Sequence, residues 1–596
     1  MSGKRQELQE ALCQYSTDTL TDINTVSGFC EGISAWKDAR KTEFSKLEDI
    51  KDKAAKVDLS FSHVTKSETK AKALGEYVKS KMTSSYADSK RADLETELAA
   101  VLADTLRGFE ELDRFLEAVE KLAVTSLHVF MEENQVLHLP QGISLEHVRV
   151  VITAARQICP LLLKFKRDAS VFFLPKLHNV EVLSYQLDKY TETTCIICGD
   201  LEKSKRLLMT KKHLADVSGN LSEDDIQRIL CHINQHFEIR LRFQRTATET
   251  VVNLDVDLSE DEIERMLDHI NQLRKIRMDQ NFRLVFLFQD VSCSVFIDEF
   301  KERQPRMLQF LTDLEEVAVK LDSMNKGAKI SSVAGSSVGA AGGVISIVGL
   351  ALIPVTAGVS LGLTIGGATM GGLSALNTIV TTATEIGVNY TKKTKASEVF
   401  QSFMDDVQSL QGCLEEVIRK QITKMEASEM DVLAEIRKVI SKGRVIRKLV
   451  DVLIDATSSL KLFKSEVTAS AGGVVKGGTA LRNVPRAASD VPEITQAAVK
   501  GPLALTKSAR VGLIVTNALF LGVDVFFICK DSYSLAKGSE TEVSKFIRAR
   551  AALWSSEMDA WKKIHDSLCE GQKTSEEHRA VLDKAFYPER AIESNN

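Results

Sequence analysis

Residues 335–372 read GSSVGAAGGVISIVGLALIPVTAGVSLGLTIGGATMGG. The stretch carries no charge, although 27% of the whole chain is charged. Three chemical readings fail on spacing. A P-loop needs a lysine followed by Ser or Thr after its last glycine, and no lysine occurs from Ile330 to Thr384. The pattern G-x-S-x-G occurs as Gly335-Ser336-Ser337-Val338-Gly339. A nucleophile elbow also needs a strand before it and a helix after it, and here small residues lie on both sides. A dinucleotide fingerprint lacks its βαβ setting for the same reason.

The pattern suits lipid better. The uncharged run covers 55 residues, Ile330–Thr384, and Pro354 divides it near the middle. Its first arm, Ile330–Ile353, has 24 residues; as a helix it is about 36 Å long, enough for the ~30 Å hydrocarbon layer. The second arm is long enough as well, so the sequence predicts a helical hairpin over 330–384. Glycines recur at four-residue intervals, at Gly335, Gly339 and Gly343 and again at Gly358, Gly362 and Gly366. Such faces let helix backbones approach closely, which favours packing where the hydrophobic effect is absent. The same glycines leave the arms only weakly apolar. Two destinations therefore stand open, a lipid layer entered conditionally and a permanently buried place in a soluble core.

A second apolar segment, Val511–Cys529, reads VGLIVTNALFLGVDVFFIC. About a dozen strong hydrophobes favour its insertion at roughly −0.3 to −0.6 kcal/mol each. Ionised Asp524 opposes it by up to ~3 kcal/mol. Protonation removes most of that penalty, so Asp524 is expected to act as an intramembrane acid or pH sensor, or else to sit on the polar edge of a soluble helix.

The rest of the chain reads as long helices. Only nine of 596 residues are proline, about a third of ordinary usage. From Arg91 a stripe of Leu94, Leu98, Val101, Leu102, Phe109, Leu112, Phe115, Leu116, Val119 and Leu122 recurs with helical period, weakly interrupted by Gly108. Residues 1–210 are accordingly expected to form a helical bundle or coiled-coil region. LPQG at Leu139–Gly142 marks a turn, and ICPLLL and FLPKL place prolines where helices start or stop. A duplicated short-helix module follows over 211–300. Leu221–Arg240 and Leu258–Arg277 share thirteen of twenty residues, and each carries a capping box, Ser222 with Asp225 and Ser259 with Glu262. His232 and His269 occupy equivalent places, read as packing rather than a metal pair. FRLVFLFQDVSCSVFI, Phe282–Ile297, is apolar without clear period and reads equally as strand or buried helix. Beyond Arg303 a helix leads to the glycine stretch. After it come an apolar stripe at Phe400, Phe403, Met404, Val407, Leu410, Leu414, Val417 and Ile418, a basic helix at Glu435–Ile454, and a last helix from Ser539. That last helix carries Val543, Phe546, Trp554, Met558, Trp561 and Ile564, and residues 588–596 are expected to be a disordered tail.

Composition narrows function. A net charge of −5 over 596 residues argues against nucleic acid as a partner. No acid–base, nucleophile or metal set emerges, so no catalytic residue, metal or cofactor is expected. Ten scattered cysteines read as reduced thiols, and Cys195 and Cys198 as helix packing. The N-terminal MSGKRQELQEALCQY shows no secretory h-region, which favours an intracellular protein in cytoplasm and membranes over an extracellular one. Lys392, Lys393 and Lys395, just after the hairpin, are candidates for headgroup contact or a plain solvated charge run.

At these residues the sequence resembles the apolipoprotein L family. Asp322, Lys326, Gly327, Gly335, Gly339, Gly343, Gly349, Pro354, Thr356 and Gly358 match its glycine-rich signature, and Asp524-Val525, Asp531-Ser532, Leu535 and Gly538 match its C-terminal helix. The resemblance covers about Gln304–Ser567; the first 300 residues match nothing recognised. It implies a lipid- and membrane-binding domain over 301–587, with Asp524 and Asp531 as acids on the apolar helix. Some members travel with lipoprotein particles and some stay inside cells. The family is also linked to pH-dependent, colicin-like insertion and cation conductance. The sequence therefore describes an all-α, non-enzymatic protein that binds lipids and membranes, with lipid transport or lipoprotein metabolism as its expected role and a homo-oligomer formed through its helices as an expected assembly. A pH-gated cation channel and a membrane-anchored helical scaffold are the alternatives. Liposome binding of wild type and Asp524→Asn between about pH 5 and pH 7.5 tests the acid. Binding of wild type is expected to rise on acidification and that of Asp524→Asn to stay high throughout; identical profiles remove Asp524 from the mechanism.

Overall fold

The computed structural model describes residues 3–57, 84–131, 136–140, 143–166, 169–216, 251–252, 254, 258–289, 291–330, 390–440 and 540–588. The described chain is all-α as expected, apart from one two-residue ladder. Helices α1 (Gly3–Val57) and α2 (Ser84–Ala123) are antiparallel. Lys53 pairs with Glu97 at one end, at 3.0 Å, and the backbone N–H of Ser126 donates to the Tyr15 hydroxyl near the other, also at 3.0 Å. Every residue of the stripe from Leu94 to Leu122 is buried, so the 3.6-residue period located the packing face correctly. α1 answers with Leu12, Tyr15, Ile23, Val26, Ile33 and Trp36.

Gly108 turns out to be more than an interruption. Trp36 Nε1 donates to its carbonyl at 2.9 Å. A Cβ there would lie 1.5 Å from Arg40 Nη1. Arg40 has little freedom to yield, because it is buried in a bidentate pair with Glu43 at 2.6 and 2.7 Å. Thr105 adds a hydrogen bond to the same carboxylate at 2.8 Å. A buried ion pair is tolerated only when its remaining polar atoms are satisfied in this way.

The chain then crosses this pair. A strand β1 (Leu137–His138) precedes α3 (Leu145–Ile158), which Ser144 caps by accepting the N–H of His147. α3 stops where Pro160 follows, and a 3₁₀ turn, Cys159–Phe165, takes over. The short α4 (Ala169–Phe172) and a 3₁₀ turn at Leu177–Asn179 flank Pro175. α5 (Val180–Asp216) then packs along α1 and α3. Its Cys195 and Cys198 are buried, and burial beside Cys30 of α1 pushes the Cys198 thiol well up. β2 (Val251–Val252) pairs antiparallel with β1. Two residues per strand are too few to leave a period in the sequence.

Helix α6 (Glu260–Met278) begins at the expected capping box: Ser259 accepts from the Glu262 N–H and the Glu262 carboxylate accepts from the Ser259 N–H at 2.8 Å. Ile263, Met266 and Ile270 are buried, and Leu267 is partly buried against them. His269 packs against Phe586, with Nε2 2.9 Å from the Val581 carbonyl, and burial lowers its pKa. The first repeat copy, with His232, lies outside the described residues. The undecided segment is helical up to Leu287 and again from Ser294. Asp279 caps α7 (Gln280–Leu287) by accepting the N–H groups of Asn281 and Phe282. Continuous apolarity there reflects burial all round, with Phe282, Leu284, Val285 and Leu287 all covered.

α8 (Ser294–Ile330) starts nine residues before Arg303 and runs through Pro305. Lys301, whose carbonyl loses its helical donor to that proline, is exposed, so water can replace the bond. α9 (Tyr390–Ile440) continues without a break into the segment read as a separate basic helix. α10 (Glu540–Gln572) and α11 (Ser575–Asp583) close the chain. The tail 589–596 lies outside the described residues.

α10 crosses α7 so closely that a Cβ on Gly571 would fall 2.4 Å from the Asn281 carbonyl oxygen and 2.6 Å from its carbon. Backbone cannot swing aside as a side chain can. Gly571→Ala is expected to lose about 1–3 kcal/mol in urea unfolding. Gly199→Ala, in α5 with open space around its Cβ position, is expected to be neutral or to gain up to ~1 kcal/mol. Equal effects at the two sites contradict the close crossing.

Candidate functional site: the base of the two apolar segments

The glycine-rich sequence leaves the described fold at the end of α8 and rejoins it at the start of α9. The second apolar sequence rejoins at the start of α10. These three helix ends are brought together by register. Along α8 and α10, Glu315 meets Arg548 and Asp322 meets Ser544, so the two helices are antiparallel. Along α8 and α9, Glu299 meets Ser409 and Arg306 meets Asp406, again in opposite order. The starts of α9 and α10 therefore lie beside the last turns of α8.

Three layers hold this base. Nearest the apolar segments, the Asp322 carboxylate accepts from Ser544 Oγ at 2.5 Å and from Arg548 Nη1 at 2.7 Å, and Arg548 Nε reaches Glu315 at 3.0 Å. The hydrogen bond to Asp322 is the main cause that raises the Arg548 pKa. The middle layer is aromatic. Phe310 of α8 stacks on Phe403 of α9 at 4.3 Å between centroids, and Trp554 of α10 lies 5.6 and 5.1 Å from them. The third layer is ionic. Arg306 grips the buried Asp406 through Nη2 at 2.6 Å and Nε at 3.2 Å, with Arg303 Nε at 3.5 Å.

On its other side α9 rests on the N-terminal helices. Gln421 Nε2 donates to the Gln157 carbonyl at 2.8 Å, and Lys203 pairs with Glu429. A cleft of about 50 Å³ lies here between Gln157, Lys203, Leu208, Ile422, Met425 and Glu429. That is room for a water or two, not an acyl chain. About two turns earlier on α9, Glu415 lies near enough to Lys164 of the 3₁₀ turn for their charges to interact. Burial pushes Glu415 up to about 7 against the opposing charges of Arg419 and Lys164. Burial likewise pulls Lys164 down to about 8 against Asp200 and Glu415. Attraction alone would move both values the other way, so desolvation outweighs pairing.

The expected site residues Gly335, Gly339, Gly343, Gly349, Pro354, Gly358, Gly362, Gly366, Asp524 and Asp531 lie outside the described residues, as does the segment Val511–Cys529. Lys392, Lys393 and Lys395 stand in the first turns of α9, and their side chains are likewise outside the description. Among the described residues no helix is long and apolar enough to cross a membrane, and no His, Cys, Asp or Glu group is arranged for a metal ion. Sequence reasoning missed Asp406, although a signal was present: it sits within the buried stripe, between Phe403 and Leu410, where an acid needs a buried partner. The partners of Asp322 left no such trace.

Glu415 carries a pH signature. Its folded value lies above its ordinary 4.5, so the stability it contributes is complete below that value and is lost as pH rises through about 7. Glu415→Gln is expected to raise the unfolding free energy measured in urea at about pH 8, by ~1–2 kcal/mol, and to leave it unchanged near pH 4.5. A loss at pH 8 contradicts the burial argument.

The family model for Apolipoprotein L matches residues 244–561, which extends the likeness upstream of Gln304 to include α6, α7 and all of α8. Human Apolipoprotein L3 is 27% identical over 257 residues, 43% of this chain and 57% of that protein. Human Apolipoprotein L5 is 35% identical over 105 residues, 18% of this chain and 24% of that protein. Human Apolipoprotein L6 is 24% identical over 274 residues, 46% of this chain and 74% of its own length. The matched stretch thus spans about half of the Apolipoprotein L3 length and a quarter of that of Apolipoprotein L5. No solved structure matches the chain. With the family model covering more than half of its residues, and with the signature positions from Asp322 to Gly358 in place, the chain belongs to the apolipoprotein L family.

Proposed function

We propose that this chain binds lipid surfaces, entering them with the glycine-rich sequence 330–384 and the apolar sequence 511–529, while the described helices serve as the frame that holds their ends. The observation that carries this reading is the shared base. Both apolar sequences end on one antiparallel cluster of α8, α9 and α10, so one structural event at that cluster can present them together. The polar Asp322–Ser544–Arg548 layer suits such an event. It lies nearest the apolar sequences and is partly solvent-exposed, and exposed pairs of this kind are worth only about 0–1 kcal/mol. The aromatic layer behind it is far stronger and keeps the frame intact.

Family membership supports an apolipoprotein L-like role in general, and transport of lipid is the use of that role favoured here. In this reading the protein acts within cells, needs no cofactor and performs no catalysis. Lipids and membranes are its partners, and nucleic acid is not one. Flotation of the full chain with anionic phospholipid vesicles tests the reading, beside alkaline carbonate extraction of cell membranes. Wild type is expected to float. Asp322→Ala is expected to float severalfold more, with Trp554 fluorescence still reporting a buried ring. Complete release by carbonate together with no flotation overturns it. Conductance in planar bilayers would move the assignment to a channel, and folded oligomers without lipid binding would move it to a scaffold.

A further inference from the structure

The far end of the α8–α10 pair holds a different chemistry. On α10, His565 Nδ1 lies 2.9 Å from Asp566 Oδ1, and His565 Nε2 lies 3.7 Å from the Cys569 sulfur. If Nδ1 donates to the carboxylate, Nε2 carries the lone pair and faces the thiol as a base. A helix places residues four apart on one face, so this contact is built into the local geometry. Phe300 of α8 packs against the imidazole at 5.2 Å between centroids and restricts its swing. Cys569 is partly exposed, whereas Cys293, just before α8, is buried. The antiparallel register that joins Asp322 to Ser544 and Phe300 to His565 brings Cys293 to within about a helical turn of Cys569. The nearness agrees with the state of Cys293: its thiol is raised by burial first, with Cys569 a further cause, against a backbone hydrogen bond and nearby Arg579. Cys30 and Cys198, by contrast, are both buried.

We propose that Cys569 and Cys293 form a thiol modification site for hydroperoxides, in which Cys569 is oxidised and Cys293 resolves it to a disulfide joining α8 to α10. The steps balance. His565 accepts the Cys569 thiol proton, and the thiolate attacks one peroxide oxygen. The O–O bond breaks, a sulfenic acid forms on Cys569, and the alcohol or water leaves with the proton from His565. The Cys293 sulfur then attacks the Cys569 sulfur. The S–O bond breaks, the S–S bond forms, and the Cys293 proton leaves with hydroxide as water. In sum, two thiols and one hydroperoxide give one disulfide, one alcohol or water, and one water. Asp566 is the positioning residue that orients the imidazole. The disulfide would fasten α8 to α10 at the end opposite the Asp322 layer and so oppose their separation.

The test needs no lipid, so its outcome is independent of the proposed lipid binding. The full chain is treated with hydrogen peroxide, alkylated, and mapped by non-reducing peptide mass spectrometry. A Cys293–Cys569 linked peptide is expected, along with dimedone-labelled Cys569 in Cys293→Ser. Cys569 in wild type is expected to oxidise at least tenfold faster than Cys13, a partly exposed thiol of the same chain. That internal comparison holds even where a variant folds poorly. His565→Asn is expected to remove most of the advantage, with circular dichroism unchanged. Equal rates at Cys569 and Cys13, or sulfenate on wild-type Cys569 with no link to Cys293, overturn the proposal.

Discussion

The contact of Phe310, Phe403 and Trp554 is the constraint on which the family half of this protein depends. Through it α8, α9 and α10 meet on buried aromatic surface. Burying an aromatic side chain of 150–250 Å² stabilises by about 4–6 kcal/mol, and each ring pair adds ~0.5–1.5 kcal/mol. No exposed ion pair approaches that. The charged layers on either side act on register instead. Asp406 accepts only where Arg303 and Arg306 can reach it, and Asp322 only where Ser544 and Arg548 lie. A one-turn slip of α8 or α9 leaves the buried Asp406 carboxylate unpaired, which costs several kcal/mol.

In the proposed reading, this division of labour lets the frame stay folded while releasing what it holds. The strong layer is central and dry. The weak layer is peripheral, half-solvated and nearest the apolar sequences. The frame also has a second attachment, through α9 to the N-terminal helices, where Glu415 and Lys164 are both held unfavourably by burial. An interface that tolerates two desolvated charges is weaker than its area suggests. Residues 1–243, outside the family match, thus meet the family half along a polar seam as well as through the packing of α1 on α6.

The limits of sequence reasoning are visible at particular residues. Stripes of long period were read correctly from Leu94 to Leu122, and so was the box at Ser259–Glu262, because both depend on neighbours within one or two turns. Phe282–Phe288 resisted assignment because burial on all sides erases the period that distinguishes helix from strand. Gly108 looked like a defect, yet Arg40 occupies the space its missing side chain leaves. Lys392, Lys393 and Lys395 were placed on a helix by the backbone, and their contacts are not described.

What the sequence by itself determined is local and compositional. It specified all-α architecture, several helix starts and stops, two long apolar stretches, and membership of the apolipoprotein L family through the signature around Asp322 and the glycines. Only the tertiary structure decided which helices pair, in which direction, and which polar groups close the seams. Asp322 and Arg548 are 226 residues apart in the chain. His565 and Cys569 are one turn apart, while Cys293 reaches them only through the antiparallel course of α8. Period and capping are fixed by bonds within a few residues, and so they are written in the sequence. Pairing depends on shape and charge between surfaces that meet only after the chain has folded.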